Sequence, residues 1–342
     1  MRAAVYHNNA DVRVEEMPVP AISAGEVLFR TRVSGICGSD VLEWYRVPKA
    51  PIVLGHEVAG DIVEVGEGVT NVKPGDRVVV SHHVPCNSCE MCLSGFHTAC
   101  QTLHTTNFDP GGFAEYIRVP ALQTDRGLLV LPDSVSYAAG TFVEPLGCVT
   151  RAQTRAGVRA GSTVLVVGSG ISGLLHIRLA AALGAGRIFA TDVSEYRLDW
   201  ARKSGAVEVF DAIEAGDRLP DLLREANGGK LADLVILCTG APSAIDQGLA
   251  CLENGATFIV FAVPAPGHDH PMPLNELWRR EVTLRTAYGA APNDLATALD
   301  LIAAGRVQVE DLITHRLPLD RIAEGFKLVA DASESVKVVV EF

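Results

Sequence analysis

Two patterns of apolar and polar positions divide this chain. Over residues 1 to about 150, short stretches alternate in character, as in Glu26-Val27-Leu28-Phe29-Arg30-Thr31-Arg32-Val33 and Gly60-Asp61-Ile62-Val63-Glu64-Val65, with turns at Gly66–Gly68 and Lys73–Asp76. A period of two is the mark of strands with one buried face, so this part reads as a β-rich, barrel-like domain. After Gly161 the pattern changes to solid apolar runs. Thr163-Val164-Leu165-Val166-Val167 suits a parallel strand covered on both faces, and Arg187–Thr191, Glu208–Phe210, Leu234–Cys238 and Thr257–Phe261 continue the series. Between them lie helical stretches such as 194–204, with Ser194 as the expected N-cap and Gly205 just past the end. Strictly alternating strands and helices predict a doubly wound α/β sheet. A further helix over Asn293–Ala304 leads to a last strand at Val336–Glu341.

Composition adds bounds. A length of 342 residues suits two domains, and 48% hydrophobic with 20% charged residues can bury two cores. The net charge of −12, with no basic run, gives no surface for nucleic acid or anionic lipid. The apolar stretch 163–185 is interrupted by glycines, His176 and Arg178, so it is not read as a membrane span, and the start Met1–Tyr6 reads as a strand and not as a signal segment. The expectation is a cytoplasmic protein working on a small molecule.

Four of the eight cysteines fall at Cys86, Cys89, Cys92 and Cys100, a spacing that fits one closed tetrahedral zinc site better than cross-links. Cys148, Cys238 and Cys251 lie in apolar surroundings and read as small buried hydrophobes. Upstream, Cys37-Gly38-Ser39-Asp40 and Gly55-His56-Glu57 bring a thiol, an imidazole and a carboxylate within one excursion of chain, the donor types of an open catalytic zinc. Taken alone, these residues read first as a buried cysteine and a His-Glu pair making ordinary hydrogen bonds.

Gly168-Ser169-Gly170-Ile171-Ser172-Gly173 follows a strand and opens a helix, the context in which G-x-G-x-x-G binds a dinucleotide pyrophosphate. Asp192 ends the next strand and is placed for the adenosine ribose hydroxyls, which favours NAD over NADP; capping of the following helix is its plainer role. Arg197 lies one turn further on, near the ribose or on a solvated helix face.

The C-G-S-D and G-H-E segments, the cysteine lobe and the glycine motif together resemble the zinc-dependent medium-chain alcohol, polyol and threonine dehydrogenases over nearly the whole chain. The resemblance implies a GroES-like catalytic domain over 1–150 and 290–342, with a structural zinc lobe at 86–100, and a Rossmann NAD-binding domain over 151–289. It implies two zinc ions per chain. Cys37 and His56 match ligands of the catalytic ion, Glu57 binds directly or sits just behind, and Glu144 of Glu144-Pro145-Leu146 matches a glutamate that polyol-type members place beside it. By the same resemblance Ser39 takes the alcohol proton, and Asp40 accepts the spare N–H of His56.

The implied activity is reversible oxidation of a secondary alcohol on a polyol, cyclitol, sugar acid or amino acid, by a homodimer or homotetramer. Two departures stand out. Where many members carry a relay histidine this chain has Leu42, followed by Glu43 and Trp44, and an arginine-tyrosine pair of sorbitol-type members is replaced by Thr286 and Ala287. Trp44, Phe108 and Tyr288 are expected near the pocket, and His82-His83 leads into the cysteine lobe. A zinc-free reductase of the same superfamily, or a scaffold that kept the fold without activity, are the competing readings; the ligand positions and Ser39 speak against both.

Overall fold

Alternation along the first half produces eight strands. They are β1 (Arg2–Asn8), β2 (Asp11–Glu16), β3 (Val27–Ile36), β4 (Ile52–Val53), β5 (Glu57–Val65), β6 (Arg77–Val80), β7 (Tyr116–Val119) and β8 (Leu128–Val130). The computed structural model describes residues 1–342. β1 pairs with β2 and β4 in a small antiparallel sheet, and β3, β5, β6 and β8 run side by side in a larger one, with β7 against β3. Inward positions of β3, β5 and β6, among them Val27, Phe29, Val58, Ile62, Val78 and Val80, pack with Phe108 and Ile117 into one core. Phe108 is thus a core residue and not a pocket wall.

Within the helix Val143–Ala156 the chain passes to a second compact unit, Cys148–Tyr288. Six strands follow: β9 (Thr163–Val167), β10 (Arg187–Asp192), β11 (Glu208–Asp211), β12 (Ala232–Leu237), β13 (Leu252–Val260) and β14 (Thr283–Thr286). All pair in parallel in the order β11-β10-β9-β12-β13-β14. The order reverses direction at β9, which puts the loop after β9 at the switch point where such sheets bind ligands. Solid apolar runs explain this arrangement, because Val164–Val167 and Leu234–Leu237 are buried on both faces. The apolar run Thr257–Phe261 lies almost wholly in β13 between β12 and β14, so it is an internal strand and the edges of the sheet are β11 and β14.

The chain then returns. The helix Pro292–Ala303 precedes β15 (Ile313–Pro318) and β16 (Lys337–Glu341), and β16 pairs antiparallel with β3 to extend the large sheet of the first unit. The first unit therefore comprises Met1–Gly147 and Gly289–Phe342, two segments far apart in sequence. No helix is long and apolar enough to cross a membrane.

Candidate metal centre and nucleotide loop

The turn that carries Cys37 is built by its own side chains. After β3 the chain enters a short 3-10 turn, Gly38–Val41; Cys37 Sγ accepts from Ser39 N at 3.4 Å, and Asp40 Oδ2 accepts from Cys37 N at 3.1 Å. This reciprocal capping fixes the thiol toward the start of β5, where His56 and Glu57 stand. One ligand atom from each of Cys37, His56 and Glu57 lies within 4.8 Å of the others. Glu144, in the first turn of the helix Val143–Ala156, is not part of that group; it lines a small cavity with Val58, Ser81 and Thr141.

His56 is oriented by Asp40, whose Oδ1 lies 3.4 Å from Nδ1. That leaves Nε2 as the nitrogen available to a metal. Burial disfavours the His56 imidazolium, but the Asp40 carboxylate and Cys37 outweigh it and raise its pKa well above the ordinary range. Asp40 itself is wholly buried; burial works against its charge, and His56 followed by Arg46 lowers its pKa nonetheless. A strong imidazole–carboxylate pair beside a thiol is the charge pattern a dication would replace, since zinc takes the neutral imidazole and the thiolate.

Glu57 has a second commitment. Its Oε2 accepts from Lys337 Nζ, and both side chains are fully buried. Lys337 also donates to Ile36 O at 3.3 Å. Arg46 is the other residue that sequence reasoning overlooked: its Nε donates to Ser39 O at 3.0 Å, and its Nη2 to Ser39 Oγ at 3.1 Å and to Asp40 Oδ1 at 3.2 Å. Lys337 had a legible signal, being a lone cation in an otherwise apolar strand, Val336–Val340. Arg46 had none, because its segment shows no periodicity.

His82 and His83 do not divide into one buried and one exposed residue. Both are half-buried with ring centroids 3.9 Å apart, and His82 lies 4.8 Å from the His56 ring. Burial, then the nearby positive charge of His56, pushes His82 well below the usual range and His83 down to about 4. Both rings are neutral at neutral pH and form an uncharged wall beside His56. Trp44 and Tyr288 are exposed.

The four cysteines of the lobe converge, with Sγ–Sγ separations of 3.5 Å (Cys89–Cys92), 3.6 Å (Cys86–Cys100) and 3.9 Å (Cys86–Cys92). A tetrahedron with zinc–sulfur bonds of 2.3 Å has edges of about 3.8 Å, so this donor set fits zinc. Backbone and hydroxyl donors of Ser88, with the Cys89 N–H, pull the Cys86 thiol down to about 5, whereas burial pushes Cys92 up to about 12. None of the eight cysteines is in a disulfide.

In the second unit, the loop after β9 is shaped for close approach. Gly168 has φ +94°, and a Cβ on Gly173 would stand 2.0 Å from Gly168 O, so neither position accepts a side chain without displacement. Asp192 ties the loop down: Oδ2 accepts from Ser169 N at 2.8 Å, and Oδ1 from Val193 N at 2.8 Å and Ser194 N at 3.0 Å. The Ser194 side chain makes no cap bond to the helix Glu195–Ser204, so its expected capping is not realised. Arg197 reaches the loop, its guanidinium carbon 4.0 Å from where a Gly170 Cβ would be, and its buried Nε has no hydrogen-bond partner. Ile171 opens the helix Ile171–Ala182, whose free N–H groups face this loop. Bare glycines, an orphaned arginine donor and a helix N-terminus together fit a nucleotide pyrophosphate and ribose.

Comparison with known proteins agrees with both halves. The alcohol dehydrogenase GroES-like domain matches residues 23–133, and the zinc-binding dehydrogenase domain matches residues 172–304. Sorbitol dehydrogenase of Gallus gallus is 33% identical over 99% of this chain and 96% of its own. L-threonine 3-dehydrogenase of Bacillus velezensis is 34% identical over 96% of this chain and 95% of its own. Alcohol dehydrogenase TADH from Thermus sp. ATN1 superposes with a TM-score of 0.87 at 30% identity, covering 100% of this chain and 99% of the other. With relatives this similar across the whole length, the chain belongs to the zinc-dependent medium-chain dehydrogenase family and is an oxidoreductase of the alcohol dehydrogenase type.

Proposed function

We propose that the protein oxidises a secondary alcohol on a polyol, cyclitol, sugar acid or threonine-like compound to the ketone, reversibly, using NAD and a catalytic zinc ion. The observation that carries this reading is the convergence of Cys37, His56 and Glu57 within 4.8 Å beside Ser39. Cys37 Sγ and His56 Nε2 hold the ion, with Asp40 fixing the His56 tautomer. Bound there, zinc supplies a Lewis acid that lowers the pKa of an alcohol oxygen. Ser39 accepts the alcohol proton on Oγ and releases its own outward. Lys337 holds Glu57 behind the metal position, which keeps that position open to substrate or water. Glu144 is kept as an alternative carboxylate donor.

Cys86, Cys89, Cys92 and Cys100 hold a second, structural zinc ion, for a total of two per chain. A nucleotide would be held at the loop Gly168–Gly173, with Gly168, Gly170, Ile171 and Gly173 to receive its pyrophosphate and Asp192 and Arg197 to receive its ribose. A carboxylate at Asp192 repels a 2′-phosphate, which supports NAD over NADP. We place the protein in the cytoplasm. We also propose a homodimer or homotetramer formed through the β14 edge, where Leu284 is exposed and Trp278, in the preceding helix, is 75% exposed. A monomeric mass by light scattering would rule that out.

The deciding test is reduced-nicotinamide formation with NAD and NADP in parallel, across polyols, cyclitols, sugar acids, L-threonine and simple secondary alcohols. A hit with NAD identifies the substrate class. Silence from zinc-loaded protein that binds NADH would instead identify a non-catalytic scaffold.

A further inference from the structure

Ser39 has an unusual neighbour for a residue that must move a proton. Its hydroxyl offers one hydrogen and two lone pairs. One lone pair is taken by Arg46 Nη2 at 3.1 Å, while Arg46 Nε grips the Ser39 carbonyl at 3.0 Å. The same Nη2 reaches Asp40 Oδ1 at 3.2 Å, so one guanidinium spans both the hydroxyl and the carboxylate that orients His56. The Arg46 side chain is 13% exposed and lies 4.5 Å from the centre of the Tyr45 ring, which restrains it. Other candidates near Ser39 do not serve. Leu42 has no acceptor, and Glu43 Oε1 is drawn away to Asn9 N at 3.1 Å.

We propose that Arg46 is the positioning residue of the proton step: it locks the Ser39 hydroxyl in the orientation that receives the alcohol proton and stabilises the negative charge that builds on Oγ as the Ser39 proton moves out to water ahead of the incoming one. The inference rests on the reading of Ser39 as the proton acceptor. An arginine is charged at every working pH, so Arg46 cannot itself take the proton. Its fork leaves Ser39 one lone pair for the incoming proton and one O–H to donate away from Arg46. The step balances as follows. The alcohol O–H proton passes to Oγ while the Ser39 proton leaves to a water, and the carbinol C–H leaves with its electron pair as hydride to the nicotinamide. The alcohol is oxidised and the nicotinamide reduced. A fixed donor aimed at developing negative charge costs no reorganisation at the moment of transfer, and removing such a donor costs about 100- to 1,000-fold in turnover.

The test uses the best alcohol found for the parent enzyme, with Arg46→Ala, Arg46→Lys and Ser39→Ala variants. Arg46→Ala is expected to lower kcat about 100-fold with KM changed by less than about threefold. Guanidinium added in solution should raise the turnover of Arg46→Ala at least about tenfold and leave Ser39→Ala unmoved. Arg46→Lys, keeping charge without the fork, should fall between parent and alanine. A readout independent of turnover is the arginine Nε–H nitrogen-15 spectrum of zinc-free protein. There the Arg46 resonance should be protected from exchange and should shift in Ser39→Ala.

Arg46→Ala turning over within about threefold of the parent, or guanidinium rescuing Ser39→Ala equally, overturns the proposal. If Arg46→Ala does not fold, Arg46→Lys decides: parent-like kcat in that variant, together with an Arg46 resonance that Ser39→Ala leaves unshifted, refutes the role. A parent that oxidises no alcohol refutes the underlying reading, whereas an active parent with an indifferent Arg46 refutes this role alone.

Discussion

Glu57 and Lys337 form an ion pair sealed in the first unit, although 280 positions separate them in the chain. Glu57 opens β5, Lys337 opens β16, and both strands flank β3. The place is made by Gly35 of β3, where a Cβ would stand 2.8 Å from Lys337 Cε and closer still to the Glu57 carboxylate. Removing one partner leaves a buried charge unpaired, which costs about 3–5 kcal/mol. Lys337→Met should therefore unfold earlier in denaturant by that amount, while Glu57→Gln combined with Lys337→Met recovers part of it. In Lys337→Met the freed Glu57 carboxylate is available to the metal position, so zinc should leave more slowly to a chelator as alcohol turnover falls. Unchanged stability would show that the pair is not formed in solution.

Substitutions at the proposed zinc ligands should separate chemistry from nucleotide binding. Cys37→Ala and His56→Ala are expected to abolish turnover and leave NADH affinity intact, because the glycine loop lies in the other unit. Asp40→Asn, which removes the charge behind His56, should cost about 10–100-fold in zinc affinity or activity. Steady-state kinetics with metal analysis and NADH titration checks all three, and a Cys37→Ala enzyme with most of its activity would refute the mechanism.

The lobe should respond to metal removal as a local unit. Cys92, Cys100 and Leu103 form only a small apolar cluster, too little to hold this loop without a cation. Chelation, or Cys100→Ser, is expected to open residues 86–100 to limited proteolysis at a concentration that leaves NADH binding unaffected. Resistance of the lobe after full zinc loss would overturn the structural assignment.

The nucleotide loop makes a steric prediction. With a Gly173 Cβ only 2.0 Å from Gly168 O, Gly173→Ala must move the loop or the helix, at a cost of about 1–3 kcal/mol. NADH binding should weaken correspondingly by fluorescence titration. Asp192→Ala should also weaken it, since the carboxylate holds Ser169 N, and, on the proposed placing of the ribose, should favour NADP relative to NAD.

His176 predicts an acid-sensitive second unit. It is fully buried, with Nδ1 3.0 Å from Gln153 Nε2, Nε2 without a partner, and Phe261 edge-on at 4.6 Å. Burial pushes its pKa down to about 3, against about 6.5 when unfolded. Between those values the unfolded chain binds a proton that the folded one refuses, so stability falls as pH drops below about 6.5, by about 2 kcal/mol at pH 5. His176→Phe should flatten this slope in thermal unfolding measured across that range. A parent slope identical to the variant's would show that His176 does not control it.

Local patterns were enough for much of this. Apolar runs over 163–167 and 187–191 match β9 and β10 to within one residue, because a strand buried on both faces must be apolar throughout. Cys86, Cys89, Cys92 and Cys100 were legible as one donor set because their spacing confines them to a single loop. Thr257–Phe261 was less legible: an apolar run shows that a strand is covered, and its neighbours β12 and β14 come from elsewhere in the chain.

The sequence by itself determined the elements and the short-range chemistry: two structural classes in two segments, a four-cysteine lobe, a glycine loop and the Cys37–Asp40 turn, each set by residues a few positions apart. Only tertiary structure decided which charges meet. Lys337 reaches Glu57 because β16 returns to β3, and Arg46 reaches Ser39 because the chain after the Gly38–Val41 turn folds back on it. The physical reason is that periodicity reports which face of an element is buried, whereas a buried ion pair or a shared hydroxyl depends on contacts that no local pattern encodes.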